Sequence, residues 1–215
     1  MSNSRIEKIK CPQCGRELEF RIWASVESDT TILDEGPRTD DIISGELFAL
    51  ECEGCGFKTL IPYPIVFNDK KHNAHVYMTQ PEGVEECLDE INKAKYKAGS
   101  KVRVVTTLSA FREKAMLFSD GLDDRLLEIA KLVYVLQNRE TMEANKVDAI
   151  YYDSQDGTRK FALIAGENEF FAMLDDAYFK LLEDNFGKKL KKYGQDDYLV
   201  DAEWAMDFLN DMAAE

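Results

Sequence analysis

Apolar and polar residues alternate along 17–26, with Leu18, Phe20, Ile22 and Ala24 on one side and Glu17, Glu19, Arg21 and Trp23 on the other. A period of two is that of a half-buried strand. Residues 27–45 are rich in Asp, Thr, Gly and Pro and read as a long excursion, with a helical turn near Asp41 to Ser44. Glu46 to Glu51 reads as a second strand, and Phe57 to Phe67 as an apolar, aromatic run that Pro62 and Pro64 push toward a sheet edge. Ala74 to Thr79 predicts one more strand.

Beyond Pro81 helical spacing takes over, and a boundary is expected there. Val84 to Ala98 and Leu108 to Phe118 predict helices on either side of a β segment at Val102 to Thr106. Leu122, Leu126, Ile129, Ala130, Val133 and Leu136 recur at the 3.6-residue period, and Asp120, Asp123 and Asp124 crowd the positive end of that helix. Val147 to Ser154 and Arg159 to Ala165 flank an Asp156-Gly157 turn signal, so a hairpin is expected, with Glu169 to Met173 as a further strand. Asp175 and Asp201 cap two final helices. The first turns Tyr178, Leu181, Leu182, Phe186 and Leu190 inward; the second does so with Trp204, Ala205, Phe208, Leu209 and Met212.

Strands and helices are partly segregated, which predicts an α+β fold: a β region over 1–80 with an inserted loop at 27–45, then a mixed helical and β-hairpin region over 81–215 packed on it.

Composition changes this picture in one respect. Lys and Arg number 27 against 41 Asp and Glu, a net charge of -14. A field of that sign repels phosphate backbones and anionic lipid surfaces, so nucleic acid and membrane are poor candidates for partners. No apolar run has the length of a membrane span or export signal, and a cytoplasmic location is expected.

Chemistry concentrates in the cysteines. Cys11-Pro12-Gln13-Cys14-Gly15 and Cys52-Glu53-Gly54-Cys55-Gly56 are two C-x-x-C-G units. Two intervening residues let both sulfurs of a unit reach one ion at about 2.3 Å, and two units complete a closed tetrahedron. The glycine after each second cysteine admits a positive φ, which turns backbone N–H groups toward sulfur. A redox dithiol needs a helix start after the pair, whereas strand patterns follow both. The expectation is therefore one structural Zn2+ held by Cys11, Cys14, Cys52 and Cys55, with iron as the other metal that suits four sulfurs.

The chain also resembles the CpXC-domain proteins. The likeness rests on the first cysteine unit, Ile22-Trp23-Ala24-Ser25, Ser44-Gly45-Glu46-Leu47-Phe48, the second cysteine pair, Arg112-Glu113-Lys114, Gly121-Leu122-Asp123-Asp124-Arg125 and Val200-Asp201-Ala202-Glu203-Trp204-Ala205. It implies the zinc site and supplies no reaction. One departure is Glu53-Gly54, where similar proteins often carry C-P-x-C; the second knuckle is then less preorganised.

Other candidates have simpler readings beside them. His72 and His75, with Cys87, have residue types suited to a second ion, but a polar turn and a small buried thiol are the favoured explanation. Arg112, Asp123, Asp124 and Arg125, with Glu113 and Glu128 near them in sequence, have the residue types of an acid–base site, against which stands a capped helix with an ion-pair network joining two neighbouring helices. Lys188, Lys189, Lys191 and Lys192 suit a solvated helix end, and Trp23 either a partner patch or packing. The leading expectation is a non-enzymatic zinc-ribbon module that engages another protein. An enzyme using Arg112, Asp123, Asp124 and Arg125 and a nucleic-acid-binding ribbon are the alternatives.

Overall fold

A computed structural model describes residues 3–28, 36–194 and 197–214. The fold is α+β, with seven helices and four small sheets among the described residues. The chain divides into two compact units, Met1–Ala115 and Met116–Glu215.

The first unit opens with two hairpins. Strands β1 (Ser4–Lys10) and β2 (Glu17–Trp23) pair antiparallel from Ser4 against Trp23 to Lys10 against Glu17. After β3 (Ser25–Glu27) and the short helix α1 (Thr39–Ser44), strands β4 (Ala49–Glu51) and β5 (Lys58–Leu60) form the second hairpin. Strand β1 escapes the sequence pattern because Ile6 and Ile9 stand three apart, and Ile6 is exposed. Pairing with β2 makes it a strand, and no local pattern announces that. Glu46 to Phe48, expected as strand, is a 3-10 turn: Gly45 at φ 85° ends α1, and its carbonyl accepts from the Phe48 N–H.

A four-stranded sheet of order β3-β6-β7-β8 completes this unit, with β6 (Ile65–Asp69), β7 (Ala74–Met78) and β8 (Lys101–Val105). Strand β6 pairs antiparallel with β7, and the β3–β6 and β7–β8 pairs are parallel. Helix α2 (Val84–Lys93) makes the crossover that parallel pairing of β7 and β8 requires. It ends at Lys93 rather than Ala98 because Ala94 turns extended. Elements beyond Pro81 thus share the first unit's sheet. Helix α3 (Leu108–Ser119) follows. Phe20, Tyr63, Phe48 and Phe111 form a run of ring contacts at 5.9, 5.1 and 6.1 Å that ties both hairpins to α3.

In the second unit α4 (Asp124–Gln137) begins at the Asp123 cap, whose carboxylate accepts from the Arg125 N–H. Helix α5 (Arg139–Ala144) was not legible from periodicity, being a single capped turn and a half. Strands β9 (Ala149–Asp153), β10 (Lys160–Ala165) and β11 (Asn168–Met173) form an antiparallel meander, as the Asp156-Gly157 turn predicts. Helices α6 (Asp176–Leu190) and α7 (Ala202–Ala214) then pack on α4 around Ile129, Leu190, Val200, Trp204, Ala205 and Phe208. Leu181 and Leu136, expected inward, are exposed because the faces α6 and α4 bury are narrower than the apolar pattern. No helix of the described residues is long and apolar enough to cross a membrane.

Candidate metal centre

Each C-x-x-C-G unit occupies the tip of a hairpin. In the first, Cys11 N–H donates to the Arg16 carbonyl at 2.8 Å and Gly15 N–H to the Cys11 carbonyl at 2.9 Å. In the second, Cys52 N–H donates to Phe57 at 2.8 Å and Gly56 N–H to Cys52 at 2.7 Å. Gly15 and Gly56 both adopt φ 73°, the left-handed conformation that a side chain would strain. Six residues bridge the last strand pair in each case, Lys10 against Glu17 and Glu51 against Lys58. The two knuckles are thus local copies of one another, built without an alignment of the surrounding chain.

The copies face each other. Cys11 Sγ lies 3.7 Å from Cys55 Sγ, and Cys14 Sγ lies 3.6 Å from Cys52 Sγ. All four sulfurs fall within 4.8 Å of one another, with Cys11 and Cys52 buried and Cys14 and Cys55 exposed. Four sulfurs around one tetrahedral ion at about 2.3 Å stand about 3.8 Å apart. The cluster could therefore hold a metal ion with little movement.

Its protonation also reflects crowding. The Cys14 backbone N–H, aided by that of Gln13, outweighs desolvation and holds the Cys11 thiol down to about 7. At Cys55 the Phe57 N–H acts in the same sense, but desolvation and the sulfurs of Cys14, Cys52 and Cys11 prevail and push the thiol up to about 12. The Cys11 thiolate is thus readily formed while the Cys55 thiol is held back.

A family model described as CpXC protein matches residues 9–131, more than half of the chain, with all four cysteines of the cluster inside the match. The chain belongs to that family. No curated protein and no solved structure matches it. In this CpXC protein the departure at Glu53-Gly54 has a structural companion: the Arg16 guanidinium lies so close to Gly54 that an added Cβ would meet its atoms at 3.0 Å. A cation from the first knuckle thus sits over the backbone of the second at Gly54. Sequence reading missed Arg16, because only the apposition of the hairpins reveals it.

Among the described residues no other group of three or more histidine, cysteine or carboxylate donors converges on one point. His72 Nδ1 is 2.6 Å from a carboxylate oxygen of buried Asp69, which also accepts from Ser28 Oγ and the His72 and Lys71 N–H groups. His75 Nδ1 bonds Asn68 Oδ1 at 2.8 Å, and its ring lies 5.0 Å from that of Tyr96. Burial lowers its pKa, with Glu27 opposing. Cys87 is half-buried on α2, and desolvation, then Glu90, raises its pKa.

Arg112 lies in the first unit, where its Nε donates to the Ile43 carbonyl at 2.8 Å. Arg125 in the second grips the Asp123 carboxylate through two nitrogens, at 3.1 and 2.7 Å, and donates to the carbonyls of Leu190 and Tyr193 at 2.7 and 2.9 Å. Those carbonyls lie at the end of α6, so the contact closes one helix end on another helix start. Asp124 is fully buried. Among the described residues no buried side-chain nitrogen or oxygen lacks a partner. Arg103, Glu113, Lys114, Glu128 and Lys131 are buried charges in otherwise apolar elements, and Glu128 and Lys131 pair at 2.9 Å; sequence reading missed the burial of Arg103 and Lys131.

Proposed function

We propose that this protein is a structural zinc-binding module in which Cys11, Cys14, Cys52 and Cys55 hold one Zn2+, and that it works without catalysing a reaction, by engaging another protein. The observation that carries the metal reading is the close approach of the four sulfurs, with two separations of 3.6 and 3.7 Å against the tetrahedral edge of about 3.8 Å. Four sulfur ligands leave no position for water or substrate, which is the pattern of structural rather than catalytic zinc. A strand, not a helix, follows each pair, at Glu17 and at Lys58, which favours metal over dithiol redox chemistry. Five free thiols suit a reducing compartment such as the cytoplasm. The charge of -14 favours a protein over a nucleic acid as partner.

Elemental analysis with native mass spectrometry of freshly purified protein tests the metal. One zinc per chain is expected, and none in a Cys52→Ser, Cys55→Ser double variant. Stoichiometric iron would replace the identity of the ion, and metal-free protein with intact free thiols would overturn the reading.

A further inference from the structure

A groove of about 540 Å³ runs between the two knuckle hairpins. Phe20 and Leu50, both buried, are part of its wall, and Glu19, Arg21, Trp23, Asp41, Glu46 and Glu51 also line it.

Hydrogen-bond parity shows which main-chain groups turn away from the paired strands. Directly opposed residues in an antiparallel pair alternate between bonded and non-bonded. On β1–β2 the bonded set is pinned at both ends, by Cys11 N–H to Arg16 at 2.8 Å and Ala24 N–H to Asn3 at 2.7 Å. Leu18, Phe20 and Ile22 therefore bond β1, while Glu19, Arg21 and Trp23 turn their main-chain groups the other way. On β4–β5 the pins are Cys52 N–H to Phe57 and Ile61 N–H to Phe48, both 2.8 Å, so Ala49 and Glu51 turn outward. These outward-turned residues are among those that line the groove. The Ala49 N–H is taken by the Glu46 carbonyl. Among the described residues, Glu19 and Arg21 have no such main-chain partner on this edge.

The side chains set the sign of what fits. Four carboxylates, Glu19, Asp41, Glu46 and Glu51, stand against one cation, Arg21, which lies over the Trp23 ring at 5.6 Å and donates to Ser4 Oγ. Glu51 shares Lys58 at 3.0 Å on the solvent side.

We propose that this groove receives an extended, Lys- or Arg-bearing segment of a partner protein, which adds as a strand to the free edge of β2. Main-chain bonds to Glu19 and Arg21 supply attachment, and the carboxylates across the groove select basic side chains. The proposal rests on the reading above of a zinc-held interaction module and names its partner's chemistry. Glu51 adjoins Cys52, and β2 begins three residues after Cys14, so the ion that joins the knuckles also sets the distance between the walls.

Fluorescence anisotropy with a labelled short peptide of alternating Lys and Val tests this on the full, metal-loaded chain at physiological ionic strength. The Lys/Val peptide is expected to bind. A Glu/Val peptide, or a Lys/Val peptide N-methylated along one edge, is expected not to. Glu19→Lys with Glu51→Lys, both exposed positions, is expected to weaken binding by about tenfold or more. Metal content is measured on every sample, so loss of the ion speaks to the zinc reading alone. Loaded protein that binds nothing, or binds the N-methylated peptide as well as its parent, or is unmoved by the double substitution, would overturn the groove. Self-association abolished by Glu19→Lys would assign the groove to a second copy and overturn the basic-segment assignment.

Discussion

With the proposed Zn2+ bound, its removal is expected to undo the two knuckle hairpins while the remaining elements persist. The β4–β5 hairpin has only three residues in each strand, below what a two-stranded ribbon needs to stand alone. What holds it besides the proposed metal is the burial of Phe48 and Leu50, roughly 1.5–3 kcal/mol each. The ring contacts of Phe48 with Tyr63 and Phe111 add about 0.5–1.5 kcal/mol each. Ordering the backbone costs about 1–2 kcal/mol per residue, and 49–60 spans a dozen residues, so these anchors alone do not hold the segment. A closed zinc site contributes on the order of 10 kcal/mol at neutral pH, which is the deciding quantity. Hydrogen exchange with mass spectrometry, comparing loaded and chelated protein, reads this directly. Protection should vanish over 49–60 and fall over 4–23, while 65–105 and the helices of the second unit keep theirs. The two tryptophans, Trp23 in β2 and Trp204 in α7, allow a second readout, since Trp204→Phe leaves a fluorophore on the hairpin alone. Equal protection of 49–60 with and without the ion would refute the argument.

Arg125→Met should destabilise the second unit by about 2–4 kcal/mol, because the Asp123 carboxylate and two carbonyls at the end of α6 lose one fork of donors; denaturant melts measure it, and Arg125→Lys should recover little. Gly194 lies at φ +63°, and an added Cβ would meet Trp204 at 2.7 Å, so Gly194→Ala should lower the melting temperature and disturb the near-ultraviolet signal of Trp204. His75 has a folded pKa below its ordinary 6.5 because it is desolvated, so the unfolded chain takes up the proton first and stability falls as pH drops below about 6.5 through the folded value. Melting curves between pH 7.5 and pH 5.5 should show a smaller loss for His75→Gln than for wild type, and parallel losses would refute the assignment.

Much of the chemistry was legible because it is local. A C-x-x-C-G unit dictates its own turn: two residues set the sulfur spacing and the glycine admits φ 73°, whatever surrounds it. Asp123 and Asp175 announce helix starts by accepting from N–H groups two residues on, and the Asp156-Gly157 turn fixes a hairpin within four residues. What stayed hidden depends on residues distant in the chain. Ser4–Lys10 is a strand only because Glu17–Trp23 lies beside it. Arg103 sits buried in a run of valines where hydropathy predicts none but apolar neighbours.

The sequence by itself determined the two knuckles, the caps and the alternation that makes β2 a half-buried strand, since backbone geometry and side-chain period act over a few residues. Only the tertiary structure decided that the knuckles meet sulfur to sulfur, that Arg16 leans on Gly54, and that the outward edge of β2 lines an acidic groove beside β4. Those are relations between segments some forty residues apart, and they follow from which apolar faces bury one another, a choice that no stretch of residues makes alone.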